Sequence, residues 1–89
     1  MMKGKIVRLT DVQERTGRMG SFKAQGMMLE LGSNPRQQVY GTLFGQHIDT
    51  LKALQLRYGD VVEVDTVFTT SERNGFVSNY VEFVNPRRA

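Results

Sequence analysis

Gln38-Val39-Tyr40-Gly41-Thr42-Leu43-Phe44-Gly45, followed by Gln46-His47-Ile48-Asp49-Thr50-Leu51-Lys52-Ala53-Leu54-Gln55-Leu56, is the stretch on which the fold turns. Side chains of a strand point alternately to its two faces, so Val39, Gly41 and Leu43 share one side and Tyr40, Thr42 and Phe44 the other. Gly45 then ends the alternation. Beyond it Ile48, Leu51, Leu54 and Gln55 recur at three and four residues, the period of a helix with one apolar stripe. Arg57-Tyr58-Gly59-Asp60 closes that helix with a glycine stop. A strand running into one short helix is therefore the centre of the chain.

Upstream, Ile6, Val7, Leu9 and Val12 sit among charges between Lys3 and Val12, which suits a first strand. Gln13 to Ser21 carries Thr16-Gly17-Arg18-Met19-Gly20-Ser21 and few apolar residues, so it reads as a basic loop. From Phe22 to Leu31 the alternation returns. Lys23, Gln25, Met27, Leu29 and Leu31 share one face of a second strand, with Met27, Leu29 and Leu31 as its core side, and Phe22, Ala24, Gly26, Met28 and Glu30 the other. Gly32-Ser33-Asn34-Pro35 breaks it, and a second loop bearing Arg36 follows.

Downstream, Val61 to Thr70 is rich in β-branched residues, which favour strands because a helix restricts their rotamers. Asn74-Gly75 is a strong hairpin turn signal, and Phe76 to Val84 supplies a fifth strand. On it Val77, Val81 and Phe83 are placed inward, leaving Phe76 and Tyr80 outside. Phe68 and Tyr58 are assigned to the core or to packing on the helix. Three strands, a helix and a two-strand hairpin is the order of an all-β, five-stranded OB-fold barrel, with its helix between strands three and four. An SH3-like barrel or an open α+β sheet is the competing architecture. Residues 1–86 form the single domain and 87–89 a short basic tail.

Composition narrows the function. The chain has 89 residues, 39% of them hydrophobic, no cysteine and a formal charge of +3. That length allows one modest core, and a second subunit that covers part of it is a natural expectation. Without cysteine there is neither a disulfide framework nor a thiolate metal site, which fits a reducing, cytoplasmic setting. No stretch has the length of a membrane span or the pattern of a signal peptide. The charge is uneven. Lys3, Lys5, Arg8, Arg15, Arg18, Lys23 and Arg36 dominate the first forty residues, whereas acids dominate from Asp49 to Glu82. A basic side of this kind can meet a polyanion, although an ordinary mixed surface gives the same count.

Leu43-Phe44-Gly45, Ile48-Asp49, Tyr58-Gly59-Asp60-Val61-Val62-Glu63-Val64 and Asn74-Gly75-Phe76 through Val81-Glu82 together resemble small bacterial and phage OB-fold proteins. These include an uncharacterised family with a W/F-G-x-x-I-D, G-D-x-V-x-V and N-G pattern. Thr16 to Leu31 is similar to the matching region of single-stranded DNA-binding and primosomal replication proteins. The resemblance implies a barrel that binds single strands on the face of its second and third strands, between two flanking loops. The acidic-tipped tail with which single-stranded DNA-binding proteins recruit partners has no counterpart here, since the chain ends in Arg87-Arg88-Ala89.

Single strands expose base faces, and an aromatic ring stacked on one gains about 1–3 kcal/mol per base. Phe22, Tyr40, Phe44, Phe76 and Tyr80 are the outward aromatics by parity, and Arg15, Arg18, Lys23, Arg36 and Arg73 the cations in or beside loops. Lys5, Arg8, Arg87 and Arg88 are weaker candidates. The bland readings are that the aromatics are core or subunit interface and the cations solvated. Catalysis finds little support. His47, the one histidine, reads as a surface or capping residue, and Gly17-Arg18-Met19-Gly20 lacks the spacing and lysine of a phosphate-binding loop.

The expectation is thus a non-catalytic, sequence-tolerant single-stranded DNA-binding protein of replication or recombination, with RNA as a possible ligand. It needs no cofactor, metal, membrane or small-molecule substrate, and forms a homo-oligomer. The alternative is a structural or protein-interaction OB module whose aromatic face is an oligomer or partner interface.

Overall fold

A computed structural model describes residues 1–18, 20–32 and 37–89. Its elements are β1 (Met2–Leu9), β2 (Gln13–Gly17), β3 (Gly20–Glu30), β4 (Gln38–Phe44), α1 (Gln46–Ala53), β5 (Val61–Arg73) and β6 (Phe76–Arg88). The described residues are mostly β with one short helix, and the strands hydrogen-bond in a ring.

Antiparallel pairing links β4 to β3, β3 to β1, β1 to β5 and β5 to β6. A parallel contact at Thr42 and Glu82 joins β6 back to β4. The eleven-residue β3 serves two partners along one edge: its first part pairs with β2 and its second with β1. Thr10 fills the gap between them. Its amide donates to the Gly26 carbonyl at 2.9 Å, and its hydroxyl accepts from the Gly26 amide at 2.9 Å.

Inside the ring lie Ile6, Met27, Leu29, Leu43, Val62, Val64 and Phe83, with Ile48 and Leu51 of α1 packed against them. Met27, Leu29 and Leu43 are fully buried on the inward parity expected for β3 and β4. Gly41 shares that inward side because the Phe83 ring occupies its space. A Cβ there would meet Phe83 Cε2 at 2.5 Å.

The structure corrects several expectations. Most of the loop expected from Gln13 to Ser21 is a hairpin, β2 paired with the start of β3 from Gln13↔Ala24 to Gly17↔Gly20. All five residues of β2 are exposed, so no apolar alternation marks it. α1 ends before the expected glycine stop: the amides of Leu54 and Gln55 already close on Leu51 and Lys52 carbonyls, and Gln55 takes a positive φ of 54°.

β5 and β6 run on to Arg73 and Arg88, longer than the strands expected to end at Thr70 and Val84. Asn74 and Gly75, with φ of 53° and 80°, make the turn between them, as two positive φ values in a tight hairpin require. Arg87 and Arg88, expected in a basic tail, belong to β6. A bulge at Asn85, whose φ is 53°, lets β6 keep both Phe83 and Pro86 buried. It also turns Arg87 outward, where its guanidinium meets Glu63 at 3.0 Å and Asp65 at 3.1 Å.

Much of the β5–β6 hairpin projects past the core. Phe68, expected to be buried, is 72% exposed, and Val77, expected inward, is 62% exposed. They share the arm's inward-parity side with Val81, but no core lies beneath that part of the hairpin. Tyr58 is likewise exposed, its hydroxyl donating to the Leu9 carbonyl at 3.1 Å. Among the described residues no helix is long and apolar enough to cross a membrane.

Candidate nucleic-acid interface

The outer side of β3 and β4 is where the chosen aromatics meet. Register pairs Ala24 with Phe44, Gly26 with Thr42 and Met28 with Tyr40, so residues of like parity on both strands share the outer face. Phe22, one alternation beyond Ala24, packs edge to face against Phe44 with ring centroids 5.9 Å apart. Such a pair contributes about 0.5–1.5 kcal/mol beyond its buried area and fixes both rings. Phe22 remains 40% exposed and Tyr40 49%, so both keep ring surface available to a ligand.

Tyr40 reaches diagonally over β3, where its hydroxyl and Cζ lie over the α-carbon of Gly26. Arg8 stands across β1 from Met28, on the side of β3 away from Tyr40. A bulge at Val7, between Ile6 and Arg8, puts Arg8 on this face. An unbroken alternation in the sequence hides that shift.

Two hairpin arms flank the face, one beyond each end of β4. The β2–β3 arm lies past the Phe44 end. On it Arg15 is the cross-strand partner of Phe22, which sets a cation beside the aromatic pair. Arg15 thus sits in a strand and not in the expected loop, and Arg18 sits in the turn at the arm's tip. Lys23 has the opposite parity. It pairs with Glu14 on the other side of the arm and does not join the aromatic row.

The β5–β6 arm lies past the other end. Arg73 pairs with Phe76 beside the turn, and Thr69 with Tyr80, so all three chosen residues share one side of the arm. Tyr80 lies two residues before Glu82 on β6, as Tyr40 lies two before Thr42 on β4. Phe76 and Tyr80 are 78% and 58% exposed. Arg36 lies outside the described residues.

Charge on the face is mixed at its base and positive toward the β2–β3 arm. Glu30 is paired with Lys5 at 3.5 Å, and Glu82 flanks Thr42. Arg87 is engaged by Glu63 and Asp65, which withdraws it from the candidate phosphate contacts. The bond from Arg87, helped by one from Asn85, holds the Asp65 carboxyl below the usual aspartate range. His47 accepts a hydrogen bond at Nδ1 from the Asn85 amide, tying the start of α1 to the bulge in β6.

Among the described residues no group of three or more His, Asp or Glu side chains could hold a metal ion. A groove of about 480 Å³ lies apart from the aromatic face, between α1 and the end of β1, and is lined mainly by aliphatic residues such as Leu9, Val12, Leu51 and Leu56. Comparison of the chain with protein-family models, curated proteins and solved structures finds no match.

Proposed function

We propose that the ring of β1, β3, β4, β6 and β5 is an OB-type barrel, and that the chain is a non-catalytic, sequence-tolerant single-stranded DNA-binding protein. The observation that carries this is the row of Phe22, Phe44 and Tyr40 along the outer side of β3 and β4, with Arg15 beside Phe22. Phe22 and Tyr40 are exposed and Phe44 is half-buried beside Phe22, so the row offers successive stacking surfaces to unpaired bases, and neighbouring cations draw the phosphates between them. Duplexes bury their base faces, so the same row gives them nothing to bind.

Mixed charge at the base of the face favours stacking as the larger contribution, with Arg15 and Arg18 on one arm and Arg73 on the other supplying phosphate contacts. The resemblance to OB-fold replication proteins points the same way. RNA single strands present the same rings and phosphates and belong to the same reading.

Titrating a fluorescent oligo-dT with the protein and with Phe44→Ala tests it. Binding by the parent and a several-fold loss in the variant, with unchanged mass on a sizing column, support the proposal. No binding by the parent at low salt overturns it.

A second reading rests on the β5–β6 arm. Phe68 and Val77 are exposed on the side opposite Arg73 and Tyr80, where the neighbouring charge is Glu72. Apolar surface with a carboxylate suits protein better than phosphate, so this side supports a homo-oligomer contact.

A further inference from the structure

At Gly26, on the outer face of β3, the side chain of Tyr40 lies over the backbone itself. The glycine is buried although it faces outward, because Tyr40 covers it. A Cβ at Gly26 would fall inside the Tyr40 hydroxyl, 2.5 Å from its Cζ, and 3.2 Å from the methyl of Thr10. The two reciprocal bonds to Thr10 fix the Gly26 backbone, so the surface under the phenol is rigid. Tyr40 nevertheless keeps about half of its surface exposed, at 49%.

Such an arrangement has a consequence for binding. An exposed tyrosine usually samples several rotamers, and a base that stacks on it must first halt that motion. Where the strand below is glycine, the ring can lie down along the sheet and be ordered before a ligand arrives. Where it is any other residue, the Cβ lifts the ring away.

We propose that Gly26 is a positioning residue for nucleobase stacking: it seats Tyr40 over β3, and so presents one side of the ring to a base in an already ordered pose. The proposal rests on the single-strand reading above. Gly26 touches no base itself. It acts through Tyr40, and its φ lies outside the left-handed region, so the backbone accepts alanine. Only the end of a flexible side chain and one methyl stand in the way.

The test compares Gly26→Ala, Tyr40→Ala and the double variant, by oligo-dT titration and by urea unfolding. Both single variants are expected to bind roughly five-fold or more weakly, with the salt slope unchanged because no phosphate contact is lost. The double variant is expected to bind no worse than Tyr40→Ala, and Gly26→Ala to keep its unfolding midpoint. A purely structural glycine gives the reverse, a lowered midpoint with affinity intact.

If Tyr40→Ala weakens binding while Gly26→Ala binds like the parent, the seat is overturned and the stacking reading survives. If Tyr40→Ala binds like the parent, the stacking role itself is overturned. If Gly26→Ala does not fold, the unaltered protein decides. The nuclear Overhauser contact between Gly26 Hα and Tyr40 Hε is expected to persist when oligo-dT binds, and its disappearance on binding overturns the seat.

Discussion

The ring of Phe83 lies against the α-carbon of Gly41, so that a Cβ added there would meet three ring carbons between 2.5 and 2.8 Å. Phe83 is fully buried and cannot swing aside as an exposed side chain can. Gly41→Ala therefore overpacks the core, and it should destabilise the fold by about 1–3 kcal/mol in urea unfolding. Affinity for single strands, measured well below the unfolding transition, should stay near the parent's. A neutral Gly41→Ala would show that the inner layer is looser than this contact requires.

Asp65 sets an acid limit. Its carboxyl is held below the usual range first by the hydrogen bond from Arg87 and then by that from Asn85. The folded protein thus keeps Asp65 ionised at a pH where the unfolded chain, near the ordinary value of about 3.9, has begun to take up the proton. The contribution to stability is complete above that ordinary value and is lost as pH falls through the lower, folded one. Urea midpoints followed into acid should fall more for the parent than for Asp65→Asn. Salt should shrink the difference, because the pair is solvent-exposed.

Phe44 and Arg15 should fail in different ways. Phe44→Ala removes a stacking surface and the edge-to-face support of Phe22, at a cost of about 1–3 kcal/mol in oligo-dT binding. Its dependence of log affinity on log salt should match the parent's. Arg15→Gln should flatten that dependence by about 0.7 and weaken binding less at high salt than at low salt. Both are read from the same fluorescence titrations at several salt concentrations.

Phe68→Ser combined with Val77→Ser tests the other side of the β5–β6 arm. The two substitutions are expected to lower the mass seen by light scattering and to leave binding by the isolated subunit intact. An unchanged mass would remove the oligomer contact from that side.

What could be read in advance followed from where the core lies. β3 and β4 cover it along most of their length, so Met27, Leu29 and Leu43 alternate with Tyr40 and Phe44 in the sequence as they do in space. Where the core ends, alternation loses its meaning. Phe68 and Val77 continue the inward parity of β5 and β6 but meet solvent, so pattern alone placed them wrongly. β2 has no buried side at all, and its pairing with β3 leaves no trace in apolar spacing.

Bulges hid the remainder. One at Val7 turned Arg8 onto the aromatic face, and one at Asn85 turned Arg87 into an ion-paired position. Lys23 is a candidate by its place beside the first loop, and the alternation that sets it opposite Phe22 also sets it with Glu14, away from the aromatic row. The seat at Gly26 was beyond reach of sequence, since it depends on which way Tyr40 lies across a neighbouring strand.

The central claim is that the outer face of β3 and β4 takes unpaired bases, and affinity for oligo-dT against a duplex of equal length, across a salt series, tests it most directly. Clear preference for the single strand is expected at every salt concentration, with affinity falling as salt rises but a stacking component that persists. Equal binding of the duplex, or binding of the single strand that vanishes at moderate salt in the same way for the parent and for Phe44→Ala, would contradict it.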